Sequence, residues 1–267
     1  MSYVGIIWVR FSKPDYQHSY GRSLRQDVLQ EKEAYIEFLY HHSRLEKRFL
    51  LFEKFCLETF LSFPASEDLF LAIDCSSSLP LSFQKELCKL QEKSQGILIF
   101  QDFSYDQIIS NILAPYPTST PYYIARLDDD DGLHSTFHEK CRNYCVSERA
   151  PQTVLSFSEG FFYEESEHRL HPVSSPKIAC GLTVFGRVGE TSIPSTGSHR
   201  KVDSKFELII DSSPSMYVVT EHSVNMSRDH PAYAHTTHRR IDKYTSPMCE
   251  SAITYDKLQQ QMGWFLR

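Results

Sequence analysis

The sequence predicts an α/β fold: a mostly parallel sheet flanked by helices, with an irregular C-terminal third. Three observations carry this. Short β-prone runs alternate with stretches of helical periodicity over residues 1–150. Those runs are apolar throughout, as strands covered on both faces are. Beyond residue 150 the texture changes to short strand candidates separated by polar loops. Of 267 residues 41% are hydrophobic, including 18 Phe and 15 Tyr, so one large core can be buried and disorder is not the expected main state.

Residues 4–9 read as a buried first strand. No basic region precedes this run and no small-residue cleavage site follows it, so it is not expected to be a signal peptide. Helical periodicity covers 26–42 and 44–60, where Leu45, Phe49, Phe52, Cys56 and Phe60 recur at three- and four-residue intervals. A strand at 69–74 ends at Cys75-Ser76-Ser77-Ser78, a helix covers 81–93, and a strand at 96–100 precedes a short helix at 105–113. Pro115, Pro117 and Pro121 mark the loop before a fourth strand at 122–127, and 132–145 reads as helix.

In the last third, strands are expected at 153–157, 160–163, 206–210 and 216–219. Residues 186–204 have almost no apolar anchor and read as a long surface loop, either a lid over a site or a plain connector. Ile253, Leu258, Met262 and Phe265 suggest a closing helix. The whole chain, 1–267, reads as a single domain.

The formal charge of −6 leaves no general basic footprint for nucleic acid. No run approaches the roughly 18–20 apolar residues of a membrane span. Seven scattered cysteines suggest free thiols in a reducing, cytoplasmic compartment. Cys141 and Cys145 lack the second pair that a zinc site wants.

One feature stands out. The fourth strand delivers Asp128, Asp129, Asp130 and Asp131 to its carboxyl end, the edge where open α/β sheets bind ligands. Adjacent carboxylates repel, and a divalent cation removes that cost. Carboxylates two apart can both reach a hard cation that also holds phosphates. An EF-hand register with Gly132 at the sixth position fails, because Leu127 and His138 would stand first and twelfth. The competing structural role is an acidic cap on a helix starting near Gly132, for which one or two carboxylates suffice.

Arg126-Leu127-Asp128-Asp129-Asp130-Asp131-Gly132-Leu133, followed by Phe137, resembles the signature of the rhamnosyltransferase family, glycosyltransferases with a GT-A-type fold. Val9-Arg10-Phe11-Ser12 is similar to that family's first strand and nucleotide-side loop. The segment from Arg48 to Leu57, leading to the strand ending at Asp74, resembles its first long helix and second strand. Val219 to Ser227 resembles its C-terminal His…Asn…Ser segment.

The resemblance implies sugar transfer from a nucleotide-sugar donor to a saccharide or glycolipid acceptor, in surface polysaccharide synthesis, with Mn²⁺ or Mg²⁺ as cofactor and peripheral membrane contact allowed. Residues 1–150 would form the donor half and 151–267 the acceptor half. Asp128 and Asp130 would be the DXD pair, the first facing ribose and metal, the second binding the metal that bridges the diphosphate. Asp129 and Asp131 would lie beside the donor sugar; Arg10, Phe11, Ser12 and Arg126 complete the donor-binding set. His222 would be a further metal ligand, and His199 a candidate substrate contact.

A general base for the acceptor hydroxyl is sought in Glu221, with Glu159 and Asp229 as alternatives. On a strand Glu221 and His222 would face opposite ways, so both roles survive only if the segment is a loop. His238, Arg239, Arg240 and Lys243 read as a solvated basic cluster. The alternative function is a non-catalytic, cation-stabilised interaction module on a degenerate transferase fold.

Overall fold

The computed structural model describes residues 3–14, 32–147, 153–190, 194–197, 199–224 and 254–264. Strands β1 (Val4–Arg10), β2 (Leu69–Cys75), β3 (Ile97–Gln101) and β4 (Pro121–Asp128) fall where the apolar runs predict them. The last third adds β5 (Gly132–Leu133), β6 (Thr153–Phe157), β7 (Glu159–Glu164), β8 (Arg169–Ser174), β9 (Thr183–Arg187), β10 (Glu207–Asp211) and β11 (Tyr217–Glu221).

The main sheet has seven strands in the order β10-β6-β9-β4-β1-β2-β3. β1 runs parallel to β2 and β4, β2 to β3, and β10 to β6. Only β9 is antiparallel to its neighbours β4 and β6. The register sets Arg10 opposite both Asp74 and Asp128, which aligns three strand ends on one edge. A second sheet, β5-β11-β7-β8, stands beyond that edge.

Helices α1 (Lys32–Leu39) and α2 (His42–Leu51) lead into a π-helical stretch, Phe52–Leu57, and α3 (Glu58–Ser62). The three- and four-residue spacing marks the helix but not its π segment, where Phe52, Phe55, Cys56 and Leu57 are all buried. A π turn widens the helix and lets more of its circumference face the core. α4 (Leu81–Gln91) and α5 (Tyr105–Leu113) follow β2 and β3; Ser104 closes a capping box on α5 with Gln107.

α6 (Phe137–Val146) starts five residues later than the sequence suggests. Gly132 and Leu133 are instead a strand paired with Val218 and Tyr217. The acidic run therefore does not cap a helix.

α7 (Tyr255–Met262) closes the described chain, ending at Gly263 in the left-handed region. Its apolar anchors are Leu258, Met262 and Trp264, all fully or nearly fully buried; Ile253 and Phe265 lie outside the described residues. Residues 199–204 form a 3-10 turn whose Val202 is fully buried beneath α5 and β4, so this part of the loop has the apolar anchor the sequence hides. His199 sits at the start of that turn.

One core feature has a pH signature. His138 on α6 is buried, with Tyr123 Oη 2.6 Å from Nδ1 and Tyr3 Oη 2.9 Å from Nε2. Burial, aided by the Arg142 cation, pushes His138 down to about 4. The unfolded chain takes up this proton near pH 6.5, the folded chain only near pH 4, so acid favours unfolding across that window. The expected loss is about 2 kcal/mol between pH 7 and pH 5. Urea melts at the two pH values check it: His138→Gln should flatten the pH dependence.

Candidate active site

The carboxyl edge of β1, β2 and β4 collects the charge. Asp128, at the end of β4, keeps its side chain 44% exposed, with Arg126 Nη2 3.2 Å from Oδ1. Asp129, Asp130 and Asp131 turn inward and are nearly fully buried. The chain turns sharply here, Asp131 N–H donating to Asp128 O at 3.1 Å, and β5 begins at once.

Each buried carboxylate has its own partners. Asp129 accepts the Ser12 backbone N–H at 3.2 Å and a guanidinium N–H of Arg48. Asp130 Oδ2 meets Arg48 Nη1 at 2.7 Å and His222 Nε2 at 2.7 Å. Asp131 Oδ1 accepts the Thr220 N–H at 3.0 Å, while Thr220 Oγ1 donates to Asp130 O at 2.7 Å.

The electrostatics divide the run. Burial works against a charged Asp130, but the Arg48 guanidinium and His222 outweigh it and hold this carboxyl well below the usual range. Burial, with the Asp130 and Asp128 charges nearby, pushes Asp131 well above that range. His222 is fully buried, and burial lowers its pKa; its Nδ1 accepts the Val224 N–H at 3.3 Å, so Nε2–H donates to Asp130 Oδ2.

The first strand supplies the rest of the edge. Ser12 adopts φ +43°, and its buried Oγ has no hydrogen-bond partner among the described residues. Lys13 Nζ bridges Asp74 Oδ1 at 2.6 Å and Phe103 O at 2.8 Å. Phe11 is fully buried edge-to-face against Phe49 and Phe52, so its ring supports the loop from the core side instead of lining an open pocket.

The expected site residues are thus partly assembled. Arg10, Ser12, Arg126 and the four aspartates share one edge, and His222 reaches Asp130 from beyond β11. Because Thr220 and His222 both contact the acidic run, strand alternation turns Glu221 to the opposite face. The geometry therefore favours His222 in the paired question and not Glu221. Glu159 is at the far end of β7 from Glu164, about 16 Å by strand rise, and its Oε1 already accepts from Ser158 and Ser174. Asp229 and the basic cluster of His238, Arg239, Arg240 and Lys243 lie outside the described residues.

Two participants escaped the sequence reading. Arg48 sits on α2, where an arginine between Lys47 and Phe49 looks like an ordinary surface charge. Thr220 looks like a strand residue of no distinction. Only their distance to the acidic run marks either one.

Against known proteins, the family described as "Putative rhamnosyl transferase" matches residues 3–234, most of the chain. The class this defines is glycosyltransferase. The chain belongs to the rhamnosyl transferase family. A search of curated proteins finds no match.

Among solved structures, Staphylococcus aureus TarS 1–349 in complex with UDP-GlcNAc is similar at 7% identity and TM-score 0.49, over 98% of this chain and 70% of that one. A second crystal structure of TarS 1–349 gives 8% identity and TM-score 0.41, over 81% of this chain and 60% of that one. A Bacillus anthracis glucose-1-phosphate thymidylyltransferase in complex with a sucrose gives 7% identity and TM-score 0.35, over 81% of this chain and 89% of that one.

Proposed function

We propose that this glycosyltransferase takes its sugar from a nucleotide-sugar donor, with rhamnose the sugar the family name suggests, and passes it to a saccharide or glycolipid acceptor of a surface polysaccharide. The observation that carries the reading is the convergence of Asp130 Oδ2 and His222 Nε2, 2.7 Å apart, at the carboxyl edge of the sheet.

A divalent cation, Mn²⁺ or Mg²⁺, fits that pair on its chemistry. Asp130 Oδ2 would supply a carboxylate ligand, and His222 Nε2 would join it on passing its proton from the Asp130 hydrogen bond to Nδ1. Among the described residues no group of three or more His, Cys, Asp or Glu could by itself hold an ion. A cation held by this pair would take one or two protein ligands and complete its shell with phosphate oxygens and water. Such a cation neutralises charge gathering on the departing nucleoside diphosphate.

The remaining roles go to this chain's own groups. Asp128, exposed beside Arg126, faces the donor side, and the unpartnered Ser12 hydroxyl offers a hydrogen bond there. Asp131, whose carboxyl burial and the neighbouring Asp130 and Asp128 charges push up, is tied to the backbone by the Thr220 N–H. Among the described residues no helix is long and apolar enough to cross a membrane. The free thiols Cys56, Cys75, Cys88, Cys141, Cys145 and Cys180 support a reducing, cytoplasmic setting.

A screen of nucleotide-sugars for Mn²⁺-dependent hydrolysis tests this reading. Consumption of one donor, abolished by EDTA and restored by Mn²⁺, is expected. A cation that raises Tm while every donor stays intact would instead establish the non-catalytic module.

A further inference from the structure

Arg48 has no role in the function argued so far, yet it is the group most closely engaged with the acidic run. Its side chain is 11% exposed, it reaches in from α2, and its guanidinium spans Asp129 and Asp130. The oxygen it takes on Asp130 is Oδ2, the one that also faces His222 Nε2. A guanidinium and a divalent cation cannot share one carboxylate oxygen at close range without strong like-charge repulsion.

Asp129, by contrast, is fixed on both sides, by Arg48 at Oδ1 and by the Ser12 N–H at Oδ2. The Arg48 Nε is buried and has no partner among the described residues, so the guanidinium has a donor to spare.

We infer that Arg48 is a resident counter-cation that pivots on Asp129, giving up Asp130 Oδ2 when a divalent cation arrives and turning its freed N–H groups to the donor diphosphate. This rests on the nucleotide-sugar reading above. It adds a thermodynamic consequence: cation and diphosphate bind cooperatively. The cation alone must break one of the two ion pairs of Arg48, that to Asp130, with nothing given in exchange for it. With the diphosphate present, the freed Nη1–H gains a phosphate oxygen as its new charged partner. The coupling is reciprocal by linkage.

Calorimetric titration of Mn²⁺ into the full chain, with and without uridine or thymidine diphosphate, tests it. Wild type should bind Mn²⁺ alone weakly and at least about fivefold more tightly with one of the nucleotides. Arg48→Gln should bind Mn²⁺ alone at least about fivefold more tightly than wild type and show a smaller nucleotide effect. Arg48→Met, of similar length, is the second variant if glutamine disrupts packing, and circular dichroism reports the fold of each. A folded variant that binds Mn²⁺ alone no better than wild type overturns the inference and leaves the transferase reading standing. Failure of both variants to fold assigns Arg48 to the scaffold and likewise overturns it. Wild type showing no cation-dependent nucleotide binding overturns both.

Discussion

Asp130→Asn is expected to lower sugar transfer by at least about 10²-fold, the scale of losing one electrostatic element of a preorganised site. The substitution keeps volume and shape, and Arg48 retains Asp129 as a partner. What it removes is the carboxylate charge whose Oδ2 meets both Arg48 and His222, and no other carboxylate of the run meets His222. Initial rates on the donor identified by the screen, with circular dichroism as the fold control, check this. A folded Asp130→Asn enzyme working at the wild-type rate would remove the Asp130–His222 pair from the mechanism.

Trp264→Ala is expected to destabilise the fold by about 3–5 kcal/mol, the range for deleting a buried large aromatic. For a chain of this size that corresponds to a Tm drop on the order of 10 °C. Trp264 is 1% exposed, packs edge-to-face on Phe55, and donates Nε1–H to Leu133 O at 2.7 Å. Gly132 lies against its ring so closely that a Cβ there would stand 2.5 Å from it. The indole thus fills the space behind β5, directly after Asp131, so its loss should loosen the acidic turn as well as the core. Calorimetry reads the first effect. A raised Michaelis constant for the donor, measured below the new Tm, reads the second; a Tm within a degree or two of wild type would show that α7 does not brace this edge.

Much of the architecture is visible along the chain. β1, β2 and β4 announce themselves because strands covered on both faces must be apolar without interruption. The acidic run is visible for the opposite reason: four adjacent charges directly after such a strand interrupt an otherwise apolar pattern. β8 and β9 are harder. β8 buries only Leu170 and Val173 among exposed residues, and β9 contains Gly186, which reads as a breaker. That glycine is needed because Tyr122 of β4 crosses it, where a Cβ would meet the hydroxyl at 2.4 Å. The start of α6 was misplaced because Gly132 and Leu133 pair with β11, more than eighty residues away, and nothing local records it.

The sequence by itself determined the class of fold and the strand end to which the four carboxylates are delivered, since strand period and charge runs are properties of neighbouring residues. Tertiary structure decided what each carboxylate is for. Asp130 is held well below the usual carboxylate range because α2 brings Arg48 from 82 positions away and the residue after β11 brings His222 from 92, whereas burial and the neighbouring Asp130 and Asp128 charges push Asp131 up. Charge–charge energy depends on separation in space and on the exclusion of water around it, and neither quantity is written in the order of residues.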